Sequence, residues 1–319
     1  MYRKILNLIE ELKSLFQKLP ELVNEKGEEK VFKDINILLN EMSRLRNHLN
    51  KEEEGSAKAI FQKDVSSIGV ESMFYKHVVD KPFGYAGDFM AMEMIYKAHS
   101  DDDAYLGTTE RGKLINAYAM QIANCKANYH RIYFLLGKIN DCTFNNISPK
   151  ICSIGCASCL EVREFLKQNN ISNDFKFTLV DIENEAIAFS KNLLPQDGNF
   201  TFYQENLIKA ALRDKFKDLL EEQDLIYSFG FYDYISLRTA KLLTGSLWKC
   251  VKSGASLLFI NAHPSNPSRL LMEFGGDWYL NYKTKGEIYS IVEDLNNLKE
   301  IKYHLDDFGV YQYIECFKI

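Results

Sequence analysis

From about residue 148 onward, short apolar runs alternate with stretches of helical periodicity. That alternation constrains the fold more than any other feature of the chain. Lys150–Gly155 reads as a strand, with a helix from about Leu160. Phe175–Asp181 reads as a second strand, with a helix from about Asn184. Phe200–Gln204 and Asp224–Phe229 are further strands, Leu237–Val251 is a helix stopped by Gly254, and Ala255–Asn261 is a strand. Strands joined through helices pair in parallel, and the sheet they form is doubly wound. Ile301–Leu305 and Val310–Phe317 turn back on each other at Asp306, Asp307 and Gly309, which places an antiparallel strand in the sheet. The expectation for 146–319 is therefore α/β: a Rossmann-like sheet of seven strands, the last one antiparallel.

Residues 1–145 carry a different rhythm. Ile5, Leu8, Ile9, Leu12, Leu15, Phe16 and Leu19 recur at spacings of three and four, as do Phe32, Ile35, Leu38, Leu39, Met42 and Leu45. Lys51–Glu54 with Gly55 and Ser56 reads as a solvated break. Residues 110–140 read as one long amphipathic helix through Leu114, Tyr118, Ile122, Tyr129, Ile132, Tyr133 and Leu136. Between these helices, Lys81-Pro82-Phe83-Gly84-Tyr85-Ala86-Gly87-Asp88 is a shaped loop. The expectation is a helical N-terminal domain.

Charge and composition remove several function classes. The chain has 319 residues and a formal net charge of -5, with a pI near 5.8. It has no basic stripe of the kind a nucleic-acid binder presents, so no nucleic-acid partner is expected. The charged N-terminus does not match a signal peptide, and no run approaches the roughly 20 apolar residues that span a bilayer. A cytoplasmic protein without stable membrane insertion is expected. Seven cysteines, an odd number, point to free thiols.

The first strand and turn read Ile151-Cys152-Ser153-Ile154-Gly155-Cys156-Ala157-Ser158-Cys159-Leu160-Glu161. Small residues there let the backbone approach a ligand, and the helix N-terminus that follows offers unpaired N–H groups to a carboxylate. The bland alternative is a tight strand-to-helix turn that needs small residues for packing. Asp181 closes the next strand about 26 positions after Gly155, near the spacing of a ribose-binding acid. Ile182 follows it. Asn206 and Leu207 follow the third strand, and Phe229 and Gly230 end the fourth, at the face where open α/β sheets bind ligands. Cys152, Cys156 and Cys159 also make a C-x3-C-x2-C spacing that matches iron–sulfur ligands. Cys152 lies inside an apolar strand and the pattern is not a barrel, so thiols and no metal are expected.

Further motifs narrow the reading. The Gly-Tyr-Ala-Gly-Asp loop is followed by Met92, Met94, Ile95 and Tyr96. Later come Asp224-Leu225-Ile226-Tyr227-Ser228-Phe229-Gly230-Phe231-Tyr232-Asp233-Tyr234, then Asn261, then Trp278-Tyr279-Leu280-Asn281-Tyr282. Over roughly residues 75 to 319 the chain resembles a bacterial family of class I S-adenosylmethionine (SAM)-dependent methyltransferases. That family is associated with biosynthesis of 3-hydroxypalmitic acid methyl ester, an extracellular factor of quorum sensing. Class I methyltransferases have the closing hairpin that ordinary Rossmann dehydrogenases lack. Lys283 stands where the resemblance leads one to expect Arg, and Ala157 and Cys159 stand where Gly is commoner. The resemblance implies SAM as cofactor, held by Gly155, Cys156, Ala157, Asp181, Ile182, Asn206, Leu207, Phe229, Gly230 and Tyr234. It also implies a lid containing Tyr85, Gly87 and Asp88; the alternative is a plain turn between helices.

Methyl transfer from a sulfonium is an in-line displacement. Positioning alone can supply about 7–11 kcal/mol of such a barrier. A fatty-acid carboxylate is ionised at neutral pH and needs no base, whereas a hydroxyl or amine acceptor needs one, such as His263 or Asp233. Tyr232, Asn261 and His263 are the candidate catalytic residues. Arg269, Trp278 and Tyr282 are the candidate substrate contacts, with Arg269 or Lys283 available to pair with a carboxylate. The expected acceptor is a small, fatty-acid-like molecule methylated on a carboxyl or hydroxyl oxygen, and a homodimer is left open. The alternatives are a protein or peptide acceptor, or a SAM-binding regulator without turnover.

Overall fold

The computed structural model describes residues 1–101, 103–169 and 175–319. By its internal contacts the chain forms two compact units: Met1–Tyr129 with Pro267–Tyr279, and His130–Asn266 with Leu280–Ile319.

The first unit is helical. Its elements are α1 (Tyr2–Gln17), α2 (Leu19–Lys26), α3 (Glu28–Arg46), α4 (Lys51–Phe61), the single turn α5 (Ser67–Gly69), α6 (Met73–Asp80), α7 (Phe89–Ser100), α8 (Glu110–Gln121) and the start of α9 (Ala123–Asn145). The stretch Lys51–Glu54, expected as a break, opens α4 instead. Asn50 accepts from the N–H groups of Glu52 and Glu53, and the Glu53 side chain returns to the Asn50 N–H, a complete capping box. Ile5, Ile9, Leu12, Phe32, Ile35, Met42 and Tyr118 fill one core with Leu270 and Phe274 from the later segment. Within that segment, Glu273 is buried and paired with Arg46, whose guanidinium also lies over the Phe274 ring at 5.2 Å.

The expected single helix over 110–140 is broken. Ile122 is extended (φ -66°, ψ 153°) between α8 and α9. The first turn of α9 finds an outside acceptor, because the Asn124 N–H donates to Ser268 Oγ at 3.0 Å.

The second unit is a seven-stranded sheet in the order β3-β2-β1-β4-β5-β7-β6. Its strands are β1 (Lys150–Ile154), β2 (Lys176–Asp181), β3 (Phe200–Gln204), β4 (Gln223–Ser228), β5 (Val251–Ala262), β6 (Leu298–Leu305) and β7 (Tyr311–Lys318). The pairs through β5 are parallel. Strand β7 is antiparallel to both neighbours, as the sequence predicts. Helices α10 (Leu160–Gln168), α11 (Asn184–Leu193), α12 (Leu207–Leu212), α13 (Phe216–Leu219), α14 (Leu237–Trp248) and α15 (Lys285–Val292) make the connections. Gly254 does not end a helix as expected. It lies within β5 at φ +80°, where the register against β4 shifts, a bulge that a glycine admits.

The two faces of the sheet bury separate cores. Cys152, Ile154, Ile226, Leu257 and Phe259 point into one, with α14 and α15. Ile151, Phe177, Leu179, Leu225, Tyr227 and Leu258 point into the other, with Leu135, Leu136 and Ile139 of α9. That packing explains why the units divide inside α9 rather than at 145/146: the later turns of this helix belong to the sheet. Among the described residues, no helix is long and apolar enough to cross a membrane.

Candidate functional site

The carboxyl ends of β1, β2 and β4 bring together most of the residues singled out for a cofactor. At the end of β1 the chain turns through three left-handed residues: Gly155 (φ +70°), Ala157 (φ +48°) and Cys159 (φ +50°). Gly155 is favoured by φ and by a tight approach. A Cβ built on it would stand 3.2 Å from Phe231 Cβ. The turn is held by Gly155 N–H and Cys156 N–H donating to Val180 O (2.8 and 3.1 Å) and by Cys159 N–H donating to Cys156 O (2.9 Å). Helix α10 opens directly after it.

Asp181 ends β2 beneath this turn. Its Oδ2 accepts from Ala157 N–H at 2.8 Å and its Oδ1 from Glu183 N–H at 3.0 Å. Burial raises its carboxyl pKa, against the lowering effect of these backbone donors. Ile182 N–H bears on it as well, and a carboxylate's roughly four acceptor sites leave capacity for a ligand. Next to it, Ile182 exposes 49% of its surface, an apolar edge beside a carboxylate. Asn206 caps α12, accepting from Lys209 N–H at 2.9 Å, while Leu207 is buried below it. Phe229 meets Tyr227 and Tyr313 edge-on. Gly230 turns the chain at φ +122° into the 3-10 turn Phe231–Tyr234, on which Tyr234 is exposed.

The cysteines separate. Cys152 belongs to one core and Cys156 and Cys159 to the other. All seven are free thiols. The hydrogen bond with Cys159, together with burial, pushes the Cys156 thiol well up.

Several expected contacts prove to be structural. Tyr232 is fully buried. Its hydroxyl bonds Thr244 Oγ1 at 2.8 Å and its ring stacks on Phe259 at 4.2 Å. It is a core residue. Asn261 is likewise buried. Its Nδ2 donates to Asp233 Oδ1 (3.0 Å) and to the carbonyls of Tyr232 and Asn281 (both 3.2 Å), and its Oδ1 accepts from Lys283 N–H (3.0 Å). Lys283 is not an anionic anchor. Its buried ammonium donates to the carbonyls of Tyr232, Ile235 and Asn281 at 2.9, 3.0 and 3.1 Å. Together these bonds staple the segment around 281–283 to the 3-10 turn. Asp233 completes the network by accepting Ala262 N–H at 2.6 Å. Burial pushes its carboxyl up to about 6, and burial pulls the Lys283 ammonium down.

His263 is partly exposed, with Nδ1 2.6 Å from Ser265 Oγ. Tyr282 is half-buried in the same unit. The remaining candidates lie in the helical unit. Arg269 Nε donates to Glu273 at 2.8 Å, Trp278 is buried, and Tyr85 and Gly87 are half-buried on their loop. Asp88 is fully buried. It caps α7 through Ala91 N–H at 2.9 Å and pairs with His77 Nε2 at 2.7 Å, so its carboxylate is committed within that unit.

Three residues with no role assigned from sequence enter the site. Glu161, in the first turn of α10, accepts the Tyr227 hydroxyl at 2.7 Å. Burial raises its carboxyl pKa, with Arg131 and Arg163 pulling it back. Arg131 of α9 lies with its guanidinium over the Tyr311 ring at 5.4 Å. Its Nη1 is 3.7 Å from where a Gly230 Cβ would stand. An arginine on an amphipathic helix reads as surface, so nothing in the local pattern marks it.

No protein-family model matches the chain, and no curated protein matches it. Solved structures do. A possible exported protein from Bordetella parapertussis aligns at a TM-score of 0.55 and 11% identity, over 100% of this chain and 97% of that one. The S-adenosylmethionine-dependent methyltransferase SibL, in its apo form, aligns at 0.50 and 12% identity, over 98% and 96%. At such identities the likeness speaks to the fold. Strand order, the antiparallel β7 and the N-terminal helical part are those of a class I methyltransferase.

Proposed function

We propose that this chain is a SAM-dependent methyltransferase, and that its cofactor lies across the carboxyl ends of β1, β2 and β4. The carrying observation is the left-handed turn at Gly155 with Asp181 beneath it. A left-handed backbone turn at a strand end and a buried carboxylate with acceptor capacity beside it suit a nucleoside. SAM supplies an electrophilic methyl group on sulfur. The protein's part is to hold, orient and keep dry. Asp181 takes the ribose hydroxyls, the Ile182 edge packs on the adenine face, and Asn206 Nδ2 faces the adenine edge. Phe229 and Gly230 bound the other side.

The acceptor we propose is small and fatty-acid-like, methylated on its carboxylate oxygen, as the resemblance to the 3-hydroxypalmitate methyl ester family implies. A carboxylate is ionised at neutral pH, so no base is needed. This agrees with the commitment of Tyr232 and Asn261 to packing. A cytoplasmic setting suits seven free thiols.

Calorimetry with SAM and S-adenosylhomocysteine tests the cofactor. Micromolar binding by the wild type is expected, with loss of at least tenfold in Asp181→Ala, measured below a melting temperature that the two orphaned backbone N–H groups lower; two ribose hydrogen bonds to a charged group account for that size. Absence of binding to the wild type refutes the reading. Mass spectrometry of 3-hydroxy fatty acids incubated with enzyme and SAM tests the acceptor, the methyl ester being the expected product.

A further inference from the structure

A cleft of about 480 Å³ opens at the end of the sheet away from the proposed cofactor site. Its walls are the later turns of α9, the amino-terminal residues of β4 and β5, and parts of β6 and β7. The β5 bulge borders it. Strand β5 is in register with β4 at Val251 and again at Ser256, and Gly254 between them has open space where a Cβ would stand. Two ion pairs are built into the walls. Lys138 of α9 meets Glu315 of β7 at 2.6 Å, and Ser256 Oγ donates to the same carboxylate at 3.2 Å. Lys252 meets Asp224 at 3.0 Å, and Asp224 also accepts Lys150 N–H at 2.9 Å. Each of these two acids exposes only 8% of its side chain. Ion pairs with a buried carboxylate add little to stability over apolar packing, and a hollow adds nothing. Stability alone therefore does not account for a charged hollow at this place.

Two further charges line the cleft, one of each sign: Asp141, from α9, and Lys302, from β6. Among the described residues, neither belongs to an ion pair. Lys302 stands opposite Glu315 in the β6–β7 register, but that carboxylate is already engaged by Lys138 and Ser256. The Lys302 ammonium lies instead over the Phe317 ring at 4.5 Å. The apolar part of the lining is Leu225, Ala255 and Phe317.

We propose that this cleft binds a free amino acid with an apolar or aromatic side chain. Its carboxylate pairs with Lys302, its ammonium with Asp141, and its side chain packs against Phe317. The lining selects the class. Three lysines face three acids, so its formal charge is zero and neither a plain anion nor a plain cation is drawn to it. A plain anion would satisfy Lys302 and leave Asp141, and a plain cation would do the reverse. A zwitterion satisfies both, through an ammonium that only donates and a carboxylate that only accepts. The cleft lies at the amino ends of β4 and β5, so this proposal does not depend on the cofactor reading.

The test is calorimetry on the full chain with L-phenylalanine and L-leucine, alone and with saturating S-adenosylhomocysteine. At least one of the two should bind with a Kd of about 1 mM or tighter, equally well under both conditions. N-acetyl-L-phenylalanine lacks the ammonium and L-phenylalaninamide lacks the carboxylate; each should bind about 3- to 10-fold more weakly, the size expected of an exposed charge pair. Lys302→Gln should weaken L-phenylalanine by the same factor and leave the amide unchanged. Asp141→Asn should weaken L-phenylalanine likewise and leave the acetyl compound unchanged. Both positions are exposed, so the variants keep the fold. No binding of either amino acid overturns the proposal, as does equal binding of the acetyl and amide compounds or no loss in either variant. Binding that S-adenosylhomocysteine abolishes places the amino acid in the cofactor site and overturns the cleft, while leaving the cofactor reading intact. If S-adenosylhomocysteine does not bind, the cofactor reading falls and the measurements without it still decide the cleft.

Discussion

Replacing Asp233 with Asn changes the acid stability of the sheet unit in a calculable way. The Asp233 carboxyl is buried and pushed from an ordinary value of 3.8 up to about 6. The folded protein therefore binds this proton more tightly than the unfolded chain. The group's contribution to stability is fully present below pH 3.8 and is lost as pH rises through about 6. A difference of about 2 pH units at 1.36 kcal/mol each makes the loss about 3 kcal/mol. Asparagine keeps an oxygen to accept from Ala262 N–H and Asn261 Nδ2 but carries no charge to desolvate. Urea denaturation of wild type and Asp233→Asn at intervals from pH 4 to 7.5 isolates this group, because titrations that do not sense Asp233 cancel in the difference. The variant should gain on the wild type by about 2 kcal/mol across that range, with the change centred between pH 4 and 6. A difference independent of pH would show that Arg131, Lys283 and the local donors already restore an ordinary carboxylate, refuting the burial argument.

Two other substitutions probe the same unit. Ala157→Gly relieves a left-handed Cβ and should stabilise the protein by about 1 kcal/mol. That is a rise in melting temperature of about 2–4 °C, read by calorimetry, and Ala157→Val should move it the other way. Lys283→Met removes the ammonium from three carbonyls, of which those of Tyr232 and Asn281 keep Asn261 Nδ2 as donor, and should cost about 1–3 kcal/mol in urea denaturation. Stability equal to wild type would mean that the segment around 281–283 is held by packing alone.

The sheet was legible because its signals are local. Alternation of apolar runs marked each strand, and Gly309 at φ +67° marked the hairpin that turns β7. The turn after β1 was legible in outline for the same reason, since small residues cluster where the backbone must bend left. What the sequence did not disclose depends on partners far along the chain. The break at Ile122 is matched by a hydroxyl at Ser268, 144 residues on from Asn124. Lys283 reads as an anion anchor until burial shows its ammonium facing three carbonyls. Tyr232 reads as catalytic because it sits in a dense motif after β4, yet the 3-10 turn sends it into the core beside Phe259. Glu161 was in plain view within the first motif. Only the approach of Tyr227, 66 residues later, shows that it is held in place.

The helical unit is assembled from two separate pieces of chain, Met1–Tyr129 and Pro267–Tyr279. Leu270 and Phe274 are members of its core, and Glu273 is the buried partner of Arg46. A ribosome making this protein releases nearly the whole of β1 to β5 before it supplies those residues. The first 129 residues thus wait with an unfilled apolar face, and with Arg46 holding Glu54 but not yet Glu273, while the parallel strands emerge. Cutting the gene at any single point cannot separate the two units. A fragment that ends before 267 lacks part of the helical core, and one that begins at 130 carries that missing part with nothing to bury it against.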